Sequence, residues 1–322
     1  MRRSLRCGLA RCRESGAMSA GCSTRTPQTS GAVLAASGLA WTVERHPVEA
    51  VIARRDGGVR REPAQRFVAN VRGDTDAVVG IVGDTYSPLQ NHESFELADA
   101  IVDSGEAHWV GAGSTRGGAH IHAVMRLDRE VCIGGATGED VLPLLFLRSG
   151  HDGRLSLTVS VAPFRLACLN GMIIPVEGEL RSWRVRHTAR MRWQIGGARK
   201  ALRVAFGYYD KLEELGSLLL AEPMRASEFD CFTRLLVPNG DSPAAVTRAQ
   251  RVWDAVRVTY ETTPDLAAIR GTRWGAFQAV AAYHDHHATI RATPTRSLGE
   301  ARFKRATTPS ALKDRALELL AA

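Results

Sequence analysis

The residues best suited to chemistry in this sequence form a cationic segment at positions 181–203. The segment reads RSWRVRHTARMRWQIGGARKALR and contains seven arginines, one lysine and no acidic residue. Alternate side chains of an extended chain point to the same side, so four of these arginines share one face. Arginine offers forked donors to phosphate, and tryptophan offers a surface on which a nucleobase stacks. The segment therefore predicts nucleic-acid binding through Arg184, Arg186, Arg190, Arg192, Trp183 and Trp193. The structural alternative is a solvated sheet edge whose charge deters aggregation.

A second candidate group lies in the stretch FRLACLNG, where Arg165 and Asn170 flank Cys168. Arg165 and Asn170 either order a sheet edge or contact a phosphate of the same nucleic acid. A cysteine nucleophile needs a nearby base in an electropositive and partly open site. Cys168 has apolar neighbours, and nothing in the sequence brings His187 next to it. We therefore predict no catalytic residue.

Histidines are the next candidates, as ligands for a metal. His120 and His122 share one face of a predicted strand, and His284 and His287 are three residues apart at the end of a predicted helix. A protein zinc site needs at least three ligands, and the sequence identifies no third one. The glycine-rich stretches match no phosphate-loop or dinucleotide pattern. We predict neither a metal nor a cofactor.

Composition limits the classes of protein to which this chain can belong. The 322 residues, 34.9 kDa in mass, suffice for one large domain or two ordinary ones. The formal charge is +8, but residues 1–30 hold six arginines and one acid, so the rest is only mildly basic. We predict that residues 1–30 are disordered and that Met18 is a candidate internal start. No apolar run is long enough to span a membrane, and a cytoplasmic protein is expected.

Alternating apolar residues predict antiparallel strands in the first half of the chain. In the return arm of one hairpin, Leu157 and Val159 face inward while Thr158 and Ser160 face outward. The sheet is therefore expected to have at least one polar face. Predicted strands cover residues 39–43, 48–53 and 78–82, and predicted hairpins pair 109–113 with 119–127 and 142–148 with 154–162.

After Trp193 the spacing of apolar residues changes from two to about 3.6, which predicts a long helix from Ile195 to Leu219. Further helix starts are predicted at Asn91, Ser227, Ser242, Thr272 and Thr308. The predicted fold class is therefore α+β, with an antiparallel sheet and helices in the first half and a helical second half. We divide the chain into a head at 1–30, a sheet-rich region at 31–195 and a helical region at 196–322.

Four blocks of this sequence, in order, resemble a family of phage/plasmid-like proteins that is classed as a domain of unknown function. The blocks are VGIVGDTYSPLQNHESFELADAIVDSG, SGHDGRLSLTVSVAPFRLACLNG, RVRHT and GTRWGAFQAVAAYHDH. The resemblance covers about residues 34–320 and leaves out the arginine-rich head. It implies a mobile genetic element as the context, and it implies no particular reaction.

These observations favour a non-enzymatic protein that binds nucleic acid, with single-stranded DNA as the expected partner and annealing in recombination as the expected role. The order of elements looks broadly like that of single-strand annealing proteins, which is an analogy of fold alone. Two alternatives stay open: an enzyme acting on nucleic acid or nucleotides, and a host-interaction protein with an acidic partner. DNA versus RNA and a homo-oligomeric state are also left open.

Overall fold

The computed structural model describes residues 29–135, 138–176, 180–184, 195–294 and 296–322. Antiparallel sheets come from the first half of the chain and helices dominate the second half, so the predicted α+β class is confirmed. Of the predicted disordered head, residues 1–28 lie outside the described residues. No helix among the described residues is long and apolar enough to cross a membrane.

The first sheet has three antiparallel strands in the order β1-β2-β3: Val43–Ala53, Val59–Arg72 and Val78–Gly83. The prediction of a strand at residues 39–43 is wrong, because only Val43 belongs to a strand. The carbonyl oxygens of Leu39 and Trp41 accept hydrogen bonds from the side-chain amide of Asn91, at 2.8 and 3.2 Å. This stretch therefore joins the core as a loop instead of pairing with a strand.

The second sheet runs in the order β4-β5-β7-β8-β9, and the short β6 pairs with β7. Both predicted hairpins are confirmed, as β4 with β5 and β7 with β8. The middle of its inner face is buried, with Ala123, Met125, Val159 and Val161 at 0% exposure. The six strands are Ala107–Thr115, His120–Leu127, Cys132–Ile133, Glu139–Gly150, Thr158–Arg165 and Ser182–Arg184.

Eight α-helices are described, and the long helix predicted from Ile195 is confirmed as α3. Three predicted starts are shifted: the predicted N-cap Asn91 is the first helical residue, and the starts predicted at Ser227 and Thr308 also differ. Gln90, not Asn91, precedes α2, and the Arg225 amide donates to Glu228 at 2.7 Å, so α4 begins before Ser227. The helices are α1 Ser30–Ala36, α2 Asn91–Val102, α3 Ile195–Ala221, α4 Ala226–Leu236, α5 Pro243–Thr262, α6 Arg273–Ala282, α7 Leu298–Ala306 and α8 Ala311–Ala321.

The core is one large cluster between the inner face of the second sheet and helices α2, α3, α6 and α8. A smaller cluster of Phe146, Ala162 and Ile173 lies on the outer face and packs against Phe303 of α7. Helix α7 was not predicted from the sequence, and the last helix starts after Ser310 rather than at Thr308. The face expected to be polar is therefore partly covered by a helix.

A buried ion pair fastens the helical end to the loop after β8. Lys313 and Asp285 are 2.7 Å apart and almost fully buried, and both also bind the backbone of Gly171. Burial alone would raise the pKa of Asp285, but hydrogen bonds and charges from His284 and Lys313 outweigh it and lower that pKa. Burial lowers the pKa of Lys313, and Asp285 offsets this only in part.

We expect Trp274→Ala to lower the free energy of unfolding by about 3–5 kcal/mol, because large-to-small changes in a packed core leave a cavity. Trp274 is 0% exposed and stacks on Phe277 with ring centroids 5.4 Å apart. Urea unfolding checks this result, with Leu298→Ala at a 49%-exposed site as the control. Equal stability of the Trp274 variant and the parent would contradict the described packing.

We expect Lys313→Met to cost about 3–5 kcal/mol of stability, because it leaves the buried carboxylate of Asp285 without its counter-ion. Adding Asp285→Asn should recover part of the loss, since the uncompensated charge is then removed. Arg315→Met on the exposed side of the same helix is the control. A single Lys313 variant as stable as the parent would show that this pair does not hold the helical end.

Candidate nucleic-acid interface

The outer face of the second sheet carries a row of side chains across five strands. Residues directly opposite one another in antiparallel strands lie on the same face. The register pairs Gly113 with His122, His122 with Arg148, Arg148 with Thr158, and Thr158 with Arg184. Adjacent strands lie about 4.8 Å apart, so the backbones at Arg148 and Arg184, two strands apart, are separated by about 10 Å. Arg184, the first of the four arginines predicted to share one face, thus lies on the same face as Arg148, which the prediction did not include.

A cavity of about 380 Å³ lies between this face and helix α7. Sheet residues and the two turns at one end of the sheet form one wall, and Phe303 and Lys304 of α7 form the other. Five cationic side chains and one carboxylate line it, so its charge is strongly positive. The lining residues are Thr115, Arg116, His120, Ile121, His122, Arg148, Arg154, Leu155, Arg296, Glu300, Phe303, Lys304, Thr307 and Thr308.

Arg148 is the central cation of this cavity. Its guanidinium donates to the backbone oxygen of Thr307 and lies over the ring of Phe146, 5.1 Å from the centroid. Burial lowers the pKa of Arg148 to about 10, so the side chain stays charged at neutral pH. Among the described residues, no carboxylate lies within ion-pair distance of it. A mostly buried arginine without a counter-ion is suited to holding an anion.

The single acid of the cavity is already engaged by the backbone. Glu300 accepts hydrogen bonds from the amides of Arg116 and Ser297, both at 2.8 Å. The first bond fixes the turn between β4 and β5 against α7. Arg116 has a φ of +58°, which is uncommon for a residue other than glycine, and the bond holds it in that conformation. Glu300 thus positions a cation while its own charge is partly satisfied.

His122 forms an apolar floor next to Arg148. Its ring lies 4.8 Å from that of Phe303 and 6.4 Å from that of Phe146. Gly113 makes this possible, because a Cβ there would meet the imidazole at 3.1 Å. Burial, and then the charge of Arg148, lower the pKa of His122 to about 4. The ring is therefore neutral at pH 7, and the positive charge of the cavity comes from arginine and lysine.

Of the six residues predicted to bind nucleic acid in the cationic segment, only Trp183 and Arg184 are described. Arg184 is exposed on β9, while Trp183 has the opposite orientation, pairs with Val159 and packs against the core. This matches the expected opposite parity of positions 183 and 184. The remaining residues predicted there, Arg186, Arg190, Arg192 and Trp193, lie outside the described residues.

Arg165 and Asn170 are placed inside the protein, where they order the end of β8. Arg165 is 1% exposed, bonds to Glu139, and donates to the oxygen of Asp265 at 2.7 Å. Asn170 is 0% exposed and bonds to Gln278 and His286 at 3.1 Å each. Neither belongs to the cavity lining. Of the two roles considered for them, these contacts match the structural one.

Cys168, His284 and His286 also belong to this interior network. Burial raises the pKa of the Cys168 thiol, although Arg165, with its Nη1 3.3 Å from the sulfur, acts in the opposite direction. His284 lies between Asp285 and Ser310, at 2.9 and 3.0 Å. Within the described part of the chain, no three His, Cys, Asp or Glu side chains are grouped to hold a metal ion.

The cavity residues Arg148, Arg154 and Arg116 were not predicted, although the sequence held a signal for two of them. Both predicted hairpins turn through segments rich in glycine, with Arg116 inside one turn and Arg154 directly after the other. Because β5 and β7 are antiparallel neighbours, with His120 opposite Gly150, the two turns lie at the same end of the sheet. Phe303 and Lys304 could not be found in this way, since their helix is distant in sequence.

Fold and site together define an α+β protein with a cationic cavity on the outer face of an antiparallel sheet. A family model described as Domain of unknown function (DUF932) matches residues 78–307. This match covers more than half of the chain, and the protein belongs to that family. The predicted resemblance to a family of unknown function is confirmed at this level. Neither the curated proteins nor the solved structures include a significant match.

We expect stability to fall on acidification because His122 is neutral in the folded protein. Its folded pKa of about 4 lies below the ordinary 6.5, so the unfolded chain takes up the proton first. The contribution of His122 to the free energy of unfolding is complete above pH 6.5 and is lost as the pH falls toward 4. The loss at pH 5 is about 2 kcal/mol. Urea unfolding of the parent and of His122→Phe at pH 7.5 and pH 5 measures the difference. An identical loss in both proteins would show that His122 does not titrate as described.

Proposed function

We propose that this protein binds nucleic acid, with single-stranded DNA as its substrate, through the outer face of the second sheet. The observation that carries the proposal is the set of five cavity cations, Arg116, Arg148, Arg154, Arg296 and Lys304. Among the described residues, none of them is in an ion pair, and the one acid in the lining is held by backbone amides. The exposed Arg184 extends this charge across the sheet.

Phosphate is the anion that this arrangement fits best. Arginine binds phosphate oxygens with two parallel donors, and a partly buried guanidinium does so in a low dielectric. Phe303 and His122 add an apolar wall beside the cations. A cationic groove with aromatic side chains is the usual means of binding single strands without sequence preference. A nucleotide whose phosphate contacts Arg148 would bring its base toward this wall.

The biological context is a further part of the proposal. The resemblance to phage/plasmid-like proteins supports a mobile genetic element, where single strands are handled during recombination. In that setting we propose that the protein holds or anneals single strands and catalyses no reaction. The enzymatic alternative that used Cys168 is less well supported, because burial raises the pKa of that thiol and disfavours the reactive thiolate.

The test compares two double variants that remove equal charge from exposed positions. Arg154→Gln with Arg184→Gln changes the proposed interface, whereas Arg248→Gln with Arg251→Gln changes exposed arginines of α5 that do not line the cavity. Each phosphate contact to a single strand contributes about −0.7 to the slope of log K against log salt. We expect the first variant to reduce the steepness by about 1.4 and the second to leave it unchanged.

Binding is measured by fluorescence anisotropy with oligonucleotides of several sequences, and circular dichroism confirms that each variant is folded. Affinity should fall similarly for every sequence, because phosphate contacts do not read bases. The proposal is wrong if the wild type binds no single strand at low salt. It is equally wrong if the interface variant keeps the affinity and slope of the control, and an acidic protein partner would then be the next candidate.

A further inference from the structure

The first sheet extends into a two-stranded ribbon whose two faces are both exposed. We define the arm as residues 48–64, beyond the register shift between Pro47 and Glu49. In it Glu49–Ala53 pair with Val59–Pro63, and every residue from Glu49 to Arg61 is exposed. Val51 and Val59 are each 63% exposed. An isolated two-stranded ribbon is marginally stable in water, and these apolar side chains gain nothing from the core.

The tip of the arm is cationic. Between Val51 and Arg61 the sequence holds four arginines and one acid, Asp56, whose carboxylate accepts from the amide of Gly58 at 2.9 Å. In the described part of the chain, Arg54 and Arg55 have no carboxylate within ion-pair distance. Arg60 and Arg61 contact Glu62 and Glu49, and such exposed pairs are worth little. These four side chains therefore remain available to an anionic partner.

The register distributes this charge over both faces of the arm. Arg61 lies opposite Val51 on one face, and Arg60 lies opposite Ile52 on the other. A flat protein surface would contact only one face and leave the other cation in solvent. A groove whose two walls carry phosphates contacts both faces and both edges at once. The major groove of B-DNA, about 12 Å wide, admits a two-stranded β-ribbon.

We propose that the arm is a second nucleic-acid site, which inserts into a groove of double-stranded DNA. Arg54, Arg55, Arg60 and Arg61 contact the phosphates, and Val51, Ile52 and Val59 contact the apolar edges of bases and sugars. The arm does not line the cavity, so this site goes beyond the binding of single strands by the sheet face. A protein with both sites binds a junction between duplex and single strand.

The experiment measures the affinity of the full chain for a short duplex and for a single strand of the same length, each over a salt series. Arg54→Gln with Arg55→Gln removes the arm cations that are without ion pairs. Its matched control is Arg248→Gln with Arg251→Gln, which changes the net charge equally. The variant Arg154→Gln with Arg184→Gln serves as the reference for the sheet face. All six positions are exposed, so folding is preserved.

For the arm variant we expect the duplex salt slope to be shallower by about 1.8, since each duplex phosphate contact contributes about 0.9. Binding at 0.1 M salt then weakens about 8-fold for each lost contact when the affinity extrapolated to 1 M is unchanged. Single-strand affinity should not change. The sheet-face variant should show the reverse pattern, and the α5 control should match the wild type for both ligands.

The proposal is overturned if the wild type binds single strands but no duplex, in which case the proposed function still stands. It is also overturned if the arm variant and the α5 control bind duplex equally. Light scattering tests whether the arm instead binds a second copy of this chain. A change of oligomeric state in the arm variant, with duplex binding unchanged, would assign the arm to self-association and refute the groove-binding role.

Discussion

The close approach of the helical end to Gly171 is the constraint on which the outer sheet face depends. A Cβ at this position would lie 1.8 Å from the backbone oxygen of Ala306, so only glycine allows the end of α7 to reach this loop. The amide of Gly171 donates to Asp285, and its oxygen accepts from Lys313. Helix α7 is thereby held over the sheet. The wall formed by Phe303 and Lys304, and the Thr307 oxygen that holds Arg148, follow from this one contact.

Two neighbouring side chains of the cavity differ in charge at neutral pH: Arg148 is charged and His122 is neutral. Burial acts on Arg148 and His122 alike, since both are cations when protonated. The pKa of Arg148 falls only to about 10, whereas that of His122 falls to about 4. At neutral pH the two neighbours therefore differ: Arg148 keeps a charged guanidinium, and His122 presents a neutral ring.

Local pattern predicted the elements that depend on local chemistry and failed where a distant residue decides the outcome. The hairpins of the second sheet and the long helix α3 follow from spacing alone, because alternate or 3.6-residue periods report directly on a buried face. For Arg165 and Asn170 the sequence left open whether they order a sheet edge or contact a phosphate, because nothing local shows their partners. Glu139, Asp265, Gln278 and His286, which enclose them, lie between 26 and 116 positions away in the chain.

The same limit applies to the site. Parity along one strand correctly separated Arg184 from Trp183, since side-chain alternation is a local property. It could not reveal that Arg184 shares a face with Arg148, because that depends on the pairing of β7, β8 and β9. The cover of this face by α7 was missed although Ser297 and Glu300 form a recognisable capping box. A capping pattern predicts where a helix starts, but not which surface it covers.

One turn joins the two proposed surfaces. The first sheet, which bears the arm, and the loop after it form hydrogen bonds with the end of β7 and the turn that follows it. Asn70 donates to the His151 oxygen at 2.6 Å, and Tyr86 donates to the Gly150 oxygen at 2.9 Å.

The same turn carries Arg154 into the cavity, and its Asp152 binds His120 on the cavity rim at 3.0 Å. The arm and the cavity are thus anchored to one short segment, buried at its centre where His151 bonds to Asn91. The base of the arm and the cavity are therefore connected through the contacts of this one segment. Under the two proposals, a nucleic acid that occupies both surfaces changes from duplex to single strand near this segment.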